Sequence, residues 1–406
     1  LTLPGLLDLV MDLGGRFEIQ ELRMGQRKAD VSFCRIEISA DLPETLEQIL
    51  HGAHQLGAEA VEEESVKTAM VEQVGVYPEG FYSSSNLPTQ ILLDGRWLEV
   101  ERQEMDCALA VDRRRGRVWC LPFYETLPEM EVVVGYSGVR INPPERLRQA
   151  EAFSFMSSEV SIEKPSKGMI NQIAKEMRAV RQQGGSVLVV SGPAVVHTDA
   201  AQHLSRLIEL GYVQVLFAGN ALAVHDIEAA LFGTALGVSL ETGLSSEHGH
   251  GHHMRAINRV RAAGGLKQLV ESGEVRSGVM KTAIEHQVEI VLGGSVRDDG
   301  PLPDVITEMW AVQKRMREAV WGVGGVGPVT DHAQPIREPK VKLALMLSTM
   351  LHSIATGNLL PAAVRTVCVD INPGVVTKLA DRGSWQSIGV ATNVESFLRE
   401  LVLALE

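Results

Sequence analysis

Ser186-Val-Leu-Val-Val190, followed at once by Ser191-Gly-Pro-Ala-Val-Val-His197-Thr198-Asp199, is the stretch that decides the fold. A short, continuously apolar run is the pattern of a strand buried on both faces, as in a parallel sheet, rather than of one with a wet face. Lys167 to Gln183 before it has a helical period, and Gly184-Gly185 closes that helix as a C-terminal cap. The small residues after Val190 let backbone N–H groups approach a ligand, and a helix that follows favours negative charge at its start.

Downstream, strand and helix alternate. Strands are expected at Val213–Ala218, Glu289–Leu292, Thr366–Ile371 and Ile388–Ala391. Helices are expected at His225–Phe232, Asp304–Val320, Lys340–Ile354, Val375–Asp381 and Val394–Leu405. The pattern predicts an α/β domain, a parallel sheet wrapped by helices, with ligands at the carboxyl ends of the strands.

Upstream the pattern is different. Phe17–Met24, Ser32–Ala40, Gln90–Leu93, Trp97–Arg102 and Glu131–Tyr136 read as strands, and Asp94-Gly95 is a hairpin turn. One helix, Pro43–Gly57, places Leu46, Ile49, Leu50 and Ala53 on one face. Glu145–Ala152 is again helical, after Asn142-Pro143-Pro144. The chain therefore divides into a β-rich α+β domain, residues 1–144, and a parallel-sheet α/β domain, residues 145–406. A length of 406 residues suits two cores rather than one.

Apolar residues at 45% and charged residues at 22% describe a globular chain, and a net charge of −13 argues against a nucleic-acid-binding surface. Cys34, Cys107, Cys120 and Cys368 have neither zinc-ribbon nor disulfide-framework spacing, which fits a reducing compartment. No basic-then-apolar leader opens the chain, and the greasiest stretch, Leu343–Leu360, contains His352, Ser353, Thr356 and Asn358, too polar to span a bilayer. A soluble, cytoplasmic, self-associating protein without nucleic-acid or membrane partners is expected.

Each expected strand ends in small or polar residues. Gly219-Asn220-Ala221 follows one, Gly293-Gly294-Ser295 another, Asp370-Ile-Asn372-Pro373 a third and Thr392-Asn393 a fourth. Together they outline a crevice for a dinucleotide. Asp370, at a strand tip, stands where such folds place an acceptor for ribose hydroxyls, or else caps the helix from Val375. The literal GxGxxG of Gly322, Gly324 and Gly327 follows a helix instead of a strand and is discounted. Glu247-His248-Gly-His250-Gly-His252-His253 is either a metal site or a glycine-rich active-site loop; alternating glycines fix no ligand pair, so no metal is assigned. His248 and His252 are candidate general bases. Arg297 and Asp298 suit the carboxylate and ammonium of an amino acid, or else form an ion pair and a cap.

Five segments carry a further resemblance: Phe155-Met-Ser-Ser-Glu-Val-Ser161, Ser191–Thr198, Ala218–Asp226, Ser295–Pro303 and Leu351–Asn358. With these, nearly the whole chain resembles the lysine-oxoglutarate reductase/saccharopine dehydrogenase-like family. Within it the likeness is to archaeal-type ornithine cyclodeaminases and to the C-terminal part of bifunctional arginine dihydrolase/ornithine cyclodeaminases. The resemblance implies a saccharopine-dehydrogenase-like N-terminal domain and an NAD-binding domain related to deoxyhypusine synthase. It implies conversion of L-ornithine to L-proline and ammonia, with NAD borrowing a hydride from the substrate and returning it. By the same likeness Gly219, Asn220, Ala221, the loop of His352, Ser353, Thr356, Gly357 and Asn358, and Asp370, Thr392 and Asn393 line NAD, with Asn372 beside Asp370. Two other functions stay open on these residues. One is an amino-acid or saccharopine-type dehydrogenase that releases NADH; the other is a non-catalytic NAD-binding protein.

Overall fold

A computed structural model describes residues 2–25, 32–58, 64–142, 167–235, 238–239, 252–298, 300–322, 338–375 and 387–406. The expected helix at Glu145–Ala152, the Phe155–Ser161 segment, His248, His250, Gly324 and Gly327 lie outside the described residues. So does the expected helix at Val375–Asp381 beyond its first residue. The chain divides into two compact units, Leu1–Glu145 and Arg146–Glu406.

The first unit opens with α1 (Thr2–Asp12), β1 (Arg16–Arg23), β2 (Phe33–Ser39) and α2 (Pro43–Gln55). β1 and β2 pair antiparallel, and Leu6, Val10, Ile49 and Ala53 bury the two helices against Phe17, Ile36 and Ile38. Leu50, expected on the buried face of α2, is exposed, and α1 is a helix that the sequence pattern does not announce. The rest is β3 (Lys67–Met70), β4 (Thr89–Leu93), β5 (Arg96–Glu101), β6 (Ala108–Asp112), β7 (Arg117–Leu121), β8 (Glu131–Val134) and β9 (Val139–Ile141). They form a seven-stranded sheet of order β3-β8-β6-β7-β5-β4-β9, antiparallel except for β5 against β7. Asp94 and Gly95 join β4 to β5, both with positive φ (50° and 78°), the conformation that a two-residue type I′ connection needs.

The second unit runs α3 (Lys167–Gln182), β10 (Ser186–Ser191), α4 (Ala194–His197), α5 (Ala200–Glu209), β11 (Val215–Gly219) and α6 (Asn220–Phe232). A long connection follows, with β12 (Thr234–Ala235), β13 (Val238–Ser239), α7 (His252–Ala263), α8 (Leu266–Glu271) and α9 (Val279–Glu285). Then come β14 (Glu289–Gly293), β15 (Val305–Ile306), α10 (Met309–Trp321), β16 (Val341–Leu347) and α11 (Leu351–Leu359). β17 (Arg365–Asp370), β18 (Ser387–Ala391) and α12 (Val394–Leu405) complete it. Its sheet has the order β15-β14-β11-β10-β16-β17-β18, and every neighbouring pair is parallel.

β10 comes first in the chain but sits in the middle of this sheet. From it the chain steps outward through β11, β14 and β15, then returns to lay β16 on its other side and steps outward again. Without the two-residue β15 this is the 3-2-1-4-5-6 order of dinucleotide-binding sheets, and the direction reverses between β10 and β16. Both faces are covered. Val187, Val189, Leu216 and Leu345 join one buried cluster, and Leu188, Val190, Phe217 and Met346 join the other. That two-sided burial is why β10 is apolar at every position from Val187 to Val190.

The main correction concerns residues 340–354, expected to be one helix. Val341–Leu347 is instead an interior strand, β16, flanked by β10 and β17, and only Leu351–Leu359 is helical. Leu, Ala and Met favour helices in isolation, but a position buried on both faces between two ladders overrides that weak preference. Residues 304–320 are corrected in a smaller way: Val305–Ile306 is an edge strand, and the helix begins at Met309.

Candidate cofactor and active site

The order of the strands reverses between β10 and β16, the point at which dinucleotide-binding sheets place their ligand, and the residues around it determine what it can hold. Gly192 follows β10, and its N–H donates to the carbonyl of Leu347 at 2.9 Å. A β-carbon on Gly192 would collide with the carbonyl oxygen of Ser348, so only glycine permits the two loops to approach this closely. Ser348 itself has φ of 48°, a left-handed turn that aims the chain into α11.

His352 sits in the first turn of α11, half-buried, with its imidazole against the ends of two neighbouring strands. A β-carbon on Gly219 would lie 2.9 Å from its Cε1, and one on Gly293 would lie 3.8 Å from its Nε2. Nδ1 points the other way, 3.5 Å from Thr349 Oγ1. Burial lowers the imidazole pKa below its usual range, and the Asp298 carboxylate opposes that shift. His352 is therefore held toward its neutral form, with Nε2 over small-residue strand ends.

The other expected cofactor residues are distributed around this point. Ser353, Thr356 and Gly357 are buried and Asn358 half-buried, but on helix α11 and not on the expected loop. The Ser353 and Thr356 hydroxyls have no hydrogen-bond partner among the described residues. Asn220 is already the first residue of α6, buried, and its Oδ1 accepts from the N–H of Leu302 at 3.0 Å; Ala221 follows it, half-buried. Asp370 ends β17 half-buried, with Oδ1 accepting from Asn372 N–H at 2.8 Å. Asn372 and Asn393 are exposed or nearly so at their strand ends, and their side-chain oxygens accept from Gly374 and Glu395 N–H groups, the latter as the N-cap of α12. Thr392 is buried, and its N–H donates to the Asp370 carbonyl.

Of the four candidate catalytic residues, the structure brings Asp298 into the field of His352. Asp298 is also tied into a turn, accepting from Ser295 N–H at 2.8 Å. Arg297 is exposed on the same turn. His252 begins α7, with Nδ1 2.9 Å from Thr234 Oγ1, whose hydroxyl donates to the buried Glu228. His248 lies outside the described residues. Sequence alone points to the Gly293 loop and to the loop of Gly192, but not to Ser348, Glu228 or Thr234, because their relationships depend on sheet order and on a buried chain of side chains.

The residues present fit a dinucleotide. Small residues close the ends of three adjacent strands, two buried hydroxyls await partners beside them, and a carboxylate stands at the tip of β17.

Family models cover most of the chain. Residues 171–401 match the arginine dihydrolase ArgZ-like C-terminal Rossmann fold, residues 88–170 the first region of the same C-terminal part, and residues 1–87 the LOR/SDH bifunctional enzyme conserved region. The ornithine cyclodeaminase of Methanopyrus kandleri is 47% identical over 98% of this chain and 93% of its own length. A crystal structure of an LOR/SDH protein from Methanococcus maripaludis has a TM-score of 0.74 at 42% identity, covering 84% of this chain and 98% of that one. AgrE, solved as a ternary complex with ornithine and NAD+, has a TM-score of 0.53 at 39% identity, covering 100% of this chain and 56% of that one. By sequence and by fold, this chain belongs to the LOR/SDH, ArgZ-like C-terminal family.

Proposed function

We propose that this protein is an ornithine cyclodeaminase, converting L-ornithine to L-proline and ammonia with NAD held at the carboxyl ends of the parallel strands. The observation that carries this is the reversal of strand order between β10 and β16, with His352 Nε2 facing the ends of β11 and β14. Relatives alike over nearly the whole chain carry that name, and AgrE binds both ornithine and NAD+. Residues 145–406 form the cofactor domain in this proposal, and residues 1–144 the saccharopine-dehydrogenase-like domain.

Bound NAD would supply a reversible hydride acceptor for the substrate α-carbon. The chain supplies the rest. Gly192 and Gly219 let backbone approach the cofactor, and Asp370 accepts from ribose hydroxyls through the oxygen not used in its own turn. Ser353 and Thr356 give their hydroxyls to the same ligand, and Thr392, Asn393 and Asn372 border it. Arg297 holds the substrate carboxylate and Asp298 an ammonium group. His352, held neutral by burial, accepts an amine proton at Nε2, and His252 is a second base. The protein acts in the cytoplasm as a homo-oligomer, without nucleic-acid or membrane partners. No helix among the described residues is long and apolar enough to cross a membrane.

Purified protein incubated with ornithine and NAD tests this. Proline and ammonia in equal amounts, without accumulating NADH, are expected. Stoichiometric NADH would instead identify a dehydrogenase, and bound dinucleotide without turnover a non-catalytic protein. Light scattering measures the oligomeric state.

A further inference from the structure

Charged side chains are seldom buried, yet the connection from β5 to β6 in the first unit buries four consecutive polar residues. Glu101, Arg102, Gln103 and Glu104 are each at most 9% exposed, and Ser84, Ser85, Asn86 and Glu125 are buried as well. Arg102 and Asp106 have φ of 52° and 61°, a left-handed backbone that side chains other than glycine rarely adopt. Three segments are tied together here. Ser84 Oγ donates to the Glu104 carbonyl at 2.7 Å and accepts from Cys107 N–H at 3.1 Å. Gln103 Nε2 donates to the Ser85 carbonyl. Arg102 reaches the third segment, the short helical turn Phe123–Glu125, with Nη1 3.6 Å from Glu125 Oε2.

Three side chains of these segments keep hydrogen-bonding capacity that the described residues do not use: Asn86 at Nδ2, Gln103 at Oε1, and Glu125 at both carboxylate oxygens. The contact from Arg102 to Glu125 is an ion pair, too long for a hydrogen bond. Asn86 is only 1% exposed. A buried polar group left unmatched destabilises the fold, and a leucine or methionine of similar size would carry no such cost. The unused groups are also of unequal kinds. Three acceptor atoms face one amide donor, so a complementary molecule carries more N–H groups than acceptor oxygens. Glu104 adds a second buried carboxylate to the cluster, and the local field therefore favours a ligand of net positive charge.

We propose that this cluster is a binding site for a cationic α-amino acid, one whose side chain ends in an ammonium or guanidinium group. The ligand carboxylate accepts from Asn86 Nδ2 beside the positive charge of Arg102, and its nitrogen groups donate to Glu125 and to Gln103 Oε1. All of these residues belong to the first unit, none is among those given to NAD, and the inference does not rest on the cyclodeaminase function. Two sources share the chemistry: ornithine as substrate, and a basic amino acid acting as an effector.

Equilibrium dialysis of the full chain, without NAD, against labelled L-ornithine, L-arginine and L-norvaline tests the site. Norvaline has the carbon skeleton of ornithine without the side-chain ammonium. The parent should bind ornithine or arginine about tenfold or more tighter than norvaline. Glu125→Gln keeps an acceptor but removes the charge, and should bring that preference close to unity. Asn86→Leu should weaken binding about tenfold at an unchanged or higher Tm, since the Nδ2 group it removes is unmatched in the free protein. Two bound ornithines per chain, one of them lost in Asn86→Leu, would identify an effector site. A single one, lost in that variant together with a raised KM, would make the site the substrate's own. A parent that binds none of the three, or shows no preference over norvaline, would overturn the proposal without any variant having to fold. Parent-like selectivity in Glu125→Gln would overturn it too, as would a lower Tm in Asn86→Leu with binding retained, which would give the amide to the fold alone.

Discussion

Gly219 and His352 are matched: the imidazole lies so close over the glycine that a β-carbon there would stand 2.9 Å from Cε1. Gly219→Ala therefore has to displace the imidazole or the end of β11. Overpacking of this kind costs about 1–3 kcal/mol. The expected outcome is a lower Tm and an NAD dissociation constant raised about tenfold, which is about 1.4 kcal/mol of binding. Calorimetry and fluorescence titration measure the two. Parent-like binding in a variant of normal stability would show that the cofactor does not use this strand end.

Asp370 makes two separable contributions. One oxygen accepts from Asn372 N–H, which an amide oxygen can replace, while the negative charge is what a ribose diol would exploit. Asp370→Asn should keep the turn and the melting temperature yet weaken NAD binding about tenfold. Asp370→Ala should lose both. If the asparagine variant binds NAD as the parent does, Asp370 serves the turn alone.

The Asp298 carboxylate raises the pKa of the His352 imidazole against the larger, lowering effect of burial. Removing that charge in Asp298→Asn leaves burial unopposed, so the imidazole should titrate at lower pH than in the parent. The neutral form is the one the fold favours. The stability this gives is present above the unfolded histidine pKa and is lost as the pH falls from there through the lower folded pKa. An NMR titration of His352 in both proteins checks the direction, and an unchanged midpoint would separate the two residues electrostatically.

Asp226 caps α9, accepting from the N–H groups of Val279 and Met280 at 2.8 Å each. Burial raises its carboxyl from 3.8 to about 6, against those hydrogen bonds, which lower it. Between these values the folded protein keeps a proton that the unfolded chain has released. The associated stability is fully present below the lower value and falls by roughly 3 kcal/mol as the pH rises through the upper one. Asp226→Asn removes this dependence. Urea unfolding should show the parent losing its advantage over the variant as the pH rises from about 4 to about 7, and a constant difference would reject the shifted carboxyl.

Local chemistry makes much of the chain legible from its sequence alone. Val394–Leu405 has the bounds expected of it because Asn393 caps its start and its apolar spacing is helical. The Asp94-Gly95 turn is equally readable, since few residue pairs accept two successive positive φ angles. Val341–Leu347 is not, because Leu, Ala and Met state no preference for a strand, and only its place between β10 and β17 decides the matter. The candidate site divides in the same way. Small residues at strand ends announce a crevice, so Gly219 and Asp370 can be named from their neighbours in the chain. That Gly192 meets Ser348, or that Thr234 links Glu228 to His252, follows from contacts between segments that folding alone brings together.

The central position of β10 also governs how the molecule is made. Its register joins Ser191 to Ala218 on one side and to Leu347 on the other. During synthesis β11 emerges soon after β10, whereas β16 follows only after the long β11–β14 connection and α10. Until then the half-sheet presents β10 as an unpaired apolar edge, a template for joining another chain. The crevice and the protection of that edge arrive in the same folding step. Substitutions that slow β16 pairing should therefore appear first as lost yield of soluble protein rather than as weaker ligand binding.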